Sequence, residues 1–429
     1  MIYNNLKRIL SVTLLLLAFQ FASAQTGISS PYSRFGIGQL QSKSVNSRLH
    51  GMGGIANAIS TNRFVNPSNP ASYSAFDSLS FLFDAGLNAS RVVYKTTTQT
   101  EIGSNATLNY FSLGFPVTKR WHSAIGILPY SQVGYNVVIP YENAETGDYN
   151  KAFAGEGGLN QVFIGNSFYL NKNFSIGANI TYVFGRYSST ALVYFPDSSL
   201  YANTMAAVRT LANDFIFDYG LMYKKDLGNN YMLTLGAIYS QKINLDVKRD
   251  YLVKSVFGGV DGNIEYVLDT VVYTPSAKGS LVIPPSAGIG AVIEKKDSWL
   301  IGFDANWQNW KNFTAFGVND SLIDSWNIAL GGEYTPNFTS ISGYWKRVTY
   351  RSGFRYEQTY LKLNGQPINE FGISFGLGLP LPRTLTTIDL SVEFGKTGTT
   401  AHNLIQENFI NFTMGVSLYE RWFVKRKYD

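Results

Sequence analysis

The chain has 429 residues, of which 45% are hydrophobic, 15% aromatic and only 15% charged, with a formal net charge of +6. This balance excludes a charged soluble domain, and no stretch beyond residue 24 reaches the roughly 20 uninterrupted apolar residues of a membrane helix. The absence of cysteine excludes disulfides and thiolate chemistry.

Residues 1–24 read MIYNNLKRILSVTLLLLAFQFASA. Lys7 and Arg8 precede an apolar run from Ile9 to Phe21 and an Ala22-Ser23-Ala24 box, the pattern of a secretory signal peptide. Removing its two cations from +6 leaves about +4, too mild in so aromatic a chain to argue for a nucleic-acid partner. Residues 25–78 are rich in Gly, Ser, Asn and Pro and keep no sustained period. The run Gly51, Met52, Gly53, Gly54 suits backbone packed against backbone. Asn66-Pro67 and Asn69-Pro70-Ala71 impose turns and deny ladder hydrogen bonds. This segment reads as a plug.

From Leu79 the period becomes two, with Leu79, Phe81, Phe83, Ala85 and Leu87 on one face. Similar segments follow near 105–115, 121–139, 159–170, 174–187, 214–223, 231–247, 281–293, 299–310, 325–334, 344–360, 370–379, 388–394 and 409–423. With 28 Tyr, 29 Phe, 7 Trp and 40 Gly, the composition fits strands with interfacial aromatic girdles. The fold class is all-β: a transmembrane antiparallel β-barrel of about fourteen strands around an N-terminal lumenal hatch. A soluble sandwich shows the same alternation; the signal peptide, strand number and aromatic content favour the barrel. The domains are then signal peptide 1–24, hatch 25–78, barrel 79–423 and basic tail 424–429. Connections at 171–173, 224–230 and 295–298 are short, and those at 142–158, 188–213 and 249–280 are long. That alternation puts both termini in the periplasm of a Gram-negative cell, with the barrel in the outer membrane. The final strand, with Tyr419, Trp422 and Phe423, is what barrel-assembly machinery would receive. Lys425, Arg426 and Lys427 form a solvated tail or touch outer-membrane lipid headgroups.

The eleventh strand carries Arg347, Arg351 and Arg355 on one parity with Glu357. Arginine on the lipid face would cost about 2–4 kcal/mol near the midplane, so these residues should face the lumen, as should Asp304, Glu333, Asp389 and Glu393. Either they form a salt-bridge lattice holding the barrel round the plug, or one arginine is left to grip a ligand carboxylate. Met52, Ile55, Phe64 and Leu82 could line an apolar tail site or simply pack plug against wall. His50, His122 and His402 are scattered, and no nucleophile or metal-ligand spacing occurs. No enzyme activity, metal or cofactor is expected.

The Gly51–Gly54 run, Asn69-Pro70-Ala71 and an immediate first strand resemble the FadL/TodX-type outer-membrane transporters of fatty acids and aromatic hydrocarbons. So do Ile283-Pro284-Pro285, Trp299, Asp304 and the run Asn306-Trp307-Gln308-Asn309-Trp310. The resemblance implies a fourteen-stranded barrel with a lumenal hatch, hydrophobic ligand captured outside, and a kinked third strand opening laterally into the membrane. Pro129 and Gly134 would carry that opening, although a strand-interior proline also marks an ordinary bulge. A similar hatch occurs in the related barrel subunit of the type IX secretion system, which docks exported proteins. Ser30 to Gly38 and the aromatic-basic ending do not map onto the fatty-acid transporters. The leading expectation is passive uptake of hydrophobic small molecules; the alternative is a barrel that docks a protein partner on its outer loops.

Overall fold

The computed structural model describes residues 30–41, 46–143, 147–196, 201–257, 266–382 and 384–421. Residues 1–24, expected to be a signal peptide, and 424–429, expected to be a basic tail, lie outside them, as do Trp422 and Phe423.

Fourteen strands close into one antiparallel barrel. They are β1 (Ser80–Lys95), β2 (Thr100–Pro116), β3 (Trp121–Tyr141), β4 (Tyr149–Tyr169), β5 (Phe174–Tyr194) and β6 (Asn203–Gly228). Next come β7, in two segments (Tyr231–Ser240 and Ile243–Phe257), and β8, also in two (Tyr266–Ile283 and Ser286–Lys295). The ring continues with β9 (Trp299–Gln308), β10 (Ser325–Tyr334), β11 (Thr349–Leu363), β12 (Gln366–Pro380), β13 (Thr387–Thr397) and β14 (Gln406–Arg421). β14 pairs with β1 along its whole length, from Gln406↔Lys95 to Arg421↔Ser80, which closes the ring. The break in β8 falls at Pro284-Pro285, where two residues lacking N–H cannot continue a ladder.

Large apolar side chains stay exposed around the outside, among them Leu87, Ile125, Ile164, Phe215, Ile289, Phe303, Phe354, Phe375 and Phe412. Their partners on the opposite parity are buried polar residues such as Asp84, Ser112, Asn179, Asp218, Ser374 and Thr413. This inversion of the soluble pattern is what a lipid-facing wall requires.

One expectation is corrected. The stretches read as long loops, 142–158, 188–213 and 249–280, are mostly strand. Asn150 to Tyr169 pairs with β5, Val193 to Phe174 with β6, and Ile243 to Phe257 with β8. β6 alone has 26 residues, where about 9–11 span a bilayer. The sheet therefore rises well past the apolar band at one end, called here the extended end. Both faces there meet polar surroundings, so the hydrophobic alternation that reveals a strand fades while the ladder continues. The opposite end closes with tight turns such as 229–230 and 296–298.

Inside the ring, residues 46–77 pack against the wall in the half nearest the short turns. The wall is thinned to admit them. A Cβ at Gly331 would lie 2.0 Å from the carbonyl oxygen of Met52, and one at Gly353 would lie 2.1 Å from the backbone N of Gly53. Both obstacles are backbone and cannot rotate aside. Gly331→Val or Gly353→Val should therefore expel the segment or unfold the barrel. Protease cleavage between residues 46 and 77 on intact vesicles should rise in these variants, whereas Ser352→Ala, on the outer face, should leave it unchanged.

Candidate functional site

The inner segment is irregular, so its backbone groups must find partners inside the barrel. The wall supplies them as side chains. Asp304 Oδ2 accepts from the backbone N–H of Ala56 at 2.6 Å and of Asn57 at 2.8 Å, and Asp84 Oδ2 accepts from Val65 N–H at 2.6 Å. Ser374 Oγ accepts from Gly53 N–H at 2.8 Å. The carbonyl of Ala71 accepts from the hydroxyls of Ser167 and Ser175, each at 3.1 Å, and Asn179 donates to the carbonyl of Pro67 at 3.0 Å. Within the segment, Asn66 donates to the carbonyls of Ala56 and Ile59. Asn69 caps the 3-10 turn Pro70–Ala75 through Ala71 N–H. Asn69 also donates to the carbonyl of Asn57 at 2.6 Å, so these two asparagines stitch the Asn-Pro turns to residues 56–59.

Charged groups bind the segment to one side of the wall. Arg48 and Arg351 both engage Glu333, and Arg351 Nη1 reaches Asp389 at 2.6 Å. Higher up the same strand, Arg355 contacts Glu393 and Glu370, each at 2.5 Å, and Glu357 at 3.8 Å. The first chain is balanced, two cations to two anions. The second sets three carboxylates against one guanidinium and is therefore an acidic patch.

Arg347 is a correction. It belongs to a short helix, Tyr344–Arg347, in the connection before β11, with its guanidinium 5.5 Å over the ring of Tyr344. The proposed parity ran one turn too far because β11 begins at Thr349. Asp304, Glu333, Asp389, Glu393, Arg351 and Arg355 do project inward, where the strand period puts them.

Met52, Ile55 and Phe64 are fully buried in one cluster, and Leu82 in another that includes Tyr73 and Phe76. At the extended end a third apolar cluster brings Tyr32 and Ile37 together with Leu245, Leu281, Trp310, Phe313 and Tyr360. Between these cores lies a cavity of about 480 Å³. Its apolar side includes Ile216, Ile283, Trp310 and Tyr360. Its polar side includes Asn88, Asn105, Asn109, Gln132, Asn306 and Asn327 with the acidic cluster of Arg355.

The wall is broken beside this cavity. β2 and β3 pair only from Pro116↔His122 to Phe111↔Ile127, although β3 continues to pair with β4 as far as Tyr141. Pro129 stands two residues past the end of that ladder, and its pairing with β4 shifts register between Pro129 and Ser131. Gly134 lies further along, its N–H accepted by Ser33 Oγ at 3.0 Å and its carbonyl accepting from Ser30 N–H at 2.8 Å. Gln39 and Leu40 pair with Gln132 and Ser131. The N-terminal residues thus satisfy the edge of β3 that β2 leaves bare.

Sequence reasoning missed Arg48, His50, Asn57 and Asp84. Asp84 was visible as the one carboxylate on the inner parity of its strand; the others depend on how the segment folds back.

The family model BamG matches residues 5–429. The chain belongs to the BamG family. No curated protein sequence matches this BamG-family chain. Among solved structures, a Pseudomonas aeruginosa FadL homologue aligns at 14% identity and TM-score 0.58, covering 88% of this chain and 98% of that one. The Pseudomonas putida toluene transporter TodX aligns at 16% and 0.57, covering 88% and 98%. The CymD monoaromatic hydrocarbon channel aligns at 15% and 0.56, covering 89% and 98%. At such identities the likeness shows the fold: this BamG-family barrel has the architecture of the outer-membrane channels for hydrophobic compounds.

Two outcomes follow from the charges. Arg351→Met strands Asp389 without its guanidinium partner and leaves Glu333 with Arg48 alone, and should destabilise the folded barrel by about 3–5 kcal/mol, read by urea unfolding in lipid vesicles. His50 is buried, and desolvation depresses its pKa below the ordinary value, with Glu393 opposing and Arg355 reinforcing the shift. Its folded-state pKa being lower than its unfolded one, the neutral imidazole contributes stability in full above about pH 6.5. That contribution is lost as pH falls below this value. Protease access to residues 46–77 should rise on acidification, and His50→Gln should flatten the dependence.

Proposed function

We propose that this barrel is a partner-docking subunit of the outer membrane, working with the machinery that assembles other barrels. The BamG family name points to barrel assembly. The observation that carries the docking reading is the β7–β8 hairpin at the extended end. There Tyr266, Val271 and Tyr273 are 63%, 61% and 62% exposed, with Val267 and Leu268 beside them. This hairpin rises beyond the lipid-facing band, where water would otherwise cover those side chains. Exposed apolar clusters of this kind mark protein contacts.

In this reading residues 25–78 are a hatch-like plug that stiffens the barrel from 79 onward, held by Gly51–Gly54, Asn66-Pro67 and Asn69-Pro70-Ala71. The extended end faces outward and the short turns face the periplasm. The inward carboxylates and arginines serve as a lattice; Arg351 and Arg355 are engaged on several sides, and the acidic surplus around Arg355 repels a fatty-acid carboxylate.

A second reading is favoured by the break between β2 and β3, which borders the cavity near Pro129. There a neutral apolar molecule such as an aromatic hydrocarbon would pass between the cavity's apolar side and the bilayer, with hatch movement setting the rate.

The two are separated by one variant and two assays. Replacing Tyr266, Val267, Leu268, Val271 and Tyr273 with serine should abolish recovery of a stoichiometric partner from detergent-solubilised outer membranes while leaving the barrel folded. Uptake of a labelled alkylbenzene should be the same with and without the protein. Intact complex in the variant refutes the docking surface, and uptake that depends on the protein supports the channel. Deleting residues 51–71 should raise small-solute leakage if the segment plugs the lumen.

A further inference from the structure

The outer face of the barrel is a layer of large apolar side chains interrupted where two small residues meet. Gly332 of β10 and Ser352 of β11 are register partners. Gly332 pairs on its other side with Ile301, and Ser352 with Phe375. Two residues along, toward the short turns, Trp299, Tyr334 and Tyr350 stand in register; two residues the other way stand Leu330 and Phe354. Large side chains therefore ring the pair. The notch opens into an outward cavity of about 780 Å³ whose walls also include Leu377, Val392 and Phe412, within the ~300–1,000 Å³ typical of ligand sites.

The mouth of this notch is not apolar. The connection entering β11 carries Trp345, which is 66% exposed, followed by Lys346 and Arg347. Tyr350, on the rim, donates its hydroxyl to the carbonyl of Trp345 at 3.3 Å, tying the cationic helix to the notch. Arg347 Nε is buried with no hydrogen-bond partner among the described residues. Tyr and Trp rows of this kind settle at the headgroup level, and cations beside them meet phosphate.

We propose that the Gly332–Ser352 notch and the Lys346–Arg347 pair form a binding site for one glycerophospholipid of the leaflet on the short-turn side. An acyl chain lies in the notch, because the surface is immersed in acyl chains and here one can sink below the neighbouring side chains. The phosphate lies on Arg347 and Lys346, as charge complementarity requires. The site is independent of the lumen and of the docking hairpin.

Native mass spectrometry of the full protein released from outer membranes into a mild detergent tests this. The folded barrel, verified by its heat-modifiable mobility, should carry one phospholipid. Ser352→Trp fills the notch. Losing contact with about two methylenes should lower the retained fraction about tenfold. Lys346→Glu with Arg347→Glu should lower retention of phosphatidylglycerol while leaving the folded fraction unchanged. With the unaltered protein, added phosphatidylglycerol should be retained and added diacylglycerol should not. Undiminished lipid in Ser352→Trp, retention of lipopolysaccharide in place of phospholipid, or equal retention of diacylglycerol would each overturn the proposal.

Discussion

Irregular backbone inside a barrel has to be hydrogen-bonded by the wall, and everything notable about this molecule answers to that constraint. An unpaired buried amide or carbonyl costs on the order of 1–3 kcal/mol, and residues 46–77 carry many. Strand and long helix are not open to a segment of glycines and Asn-Pro turns, whose helical pieces are the short Ser47–His50 and Pro70–Ala75. Its partners are therefore single side chains placed on the inner parity of separate strands: Asp84 on β1, Asn179 on β5, Asp304 on β9, Ser374 on β12. Each group stands at a fixed height on its strand, so the segment has few ways to sit.

The same constraint governs the charges. Arg351 shares Glu333 with Arg48 of the inner segment and holds Asp389 as well, so buried ions are compensated within a chain that links β10, β11, β13 and the segment. Around Arg355 the balance tips to acid. The cavity thus has an acidic side at Glu357, Glu370 and Glu393 and an apolar side at Ile216, Ile283, Trp310 and Tyr360. The bare edge of β3 is the same problem outside the ladder, and residues 30–41 answer it by lending Ser30, Ser33, Gln39 and Leu40 to a strand that β2 has left.

Strand positions within the lipid band were readable because the bilayer enforces alternation: apolar out, small or polar in. Ser325 to Tyr334 was recovered to the residue, and the inward carboxylates followed from parity. Above the band nothing enforces the pattern, so 188–213 and 249–280 looked like loops while their backbones stayed paired. Arg347 failed for a related reason. Its spacing from Arg351 and Arg355 extended a true parity across the end of β11 into a helix, and spacing alone contains no stop signal.

By itself, then, the sequence determined the class of the molecule, its number of strands, which residues within the lipid-band strands face inward, and that a Gly- and Asn-Pro-rich segment occupies no ladder. These depend on local chemistry and period, which a chain cannot hide. The tertiary structure alone decided which wall residue meets which backbone amide, that Arg48 and Arg351 share one carboxylate, that β2 and β3 part after Phe111, and that Gly332 and Ser352 lie side by side. Those are juxtapositions between residues far apart in the chain, set by ring closure and strand register, and no local period encodes them.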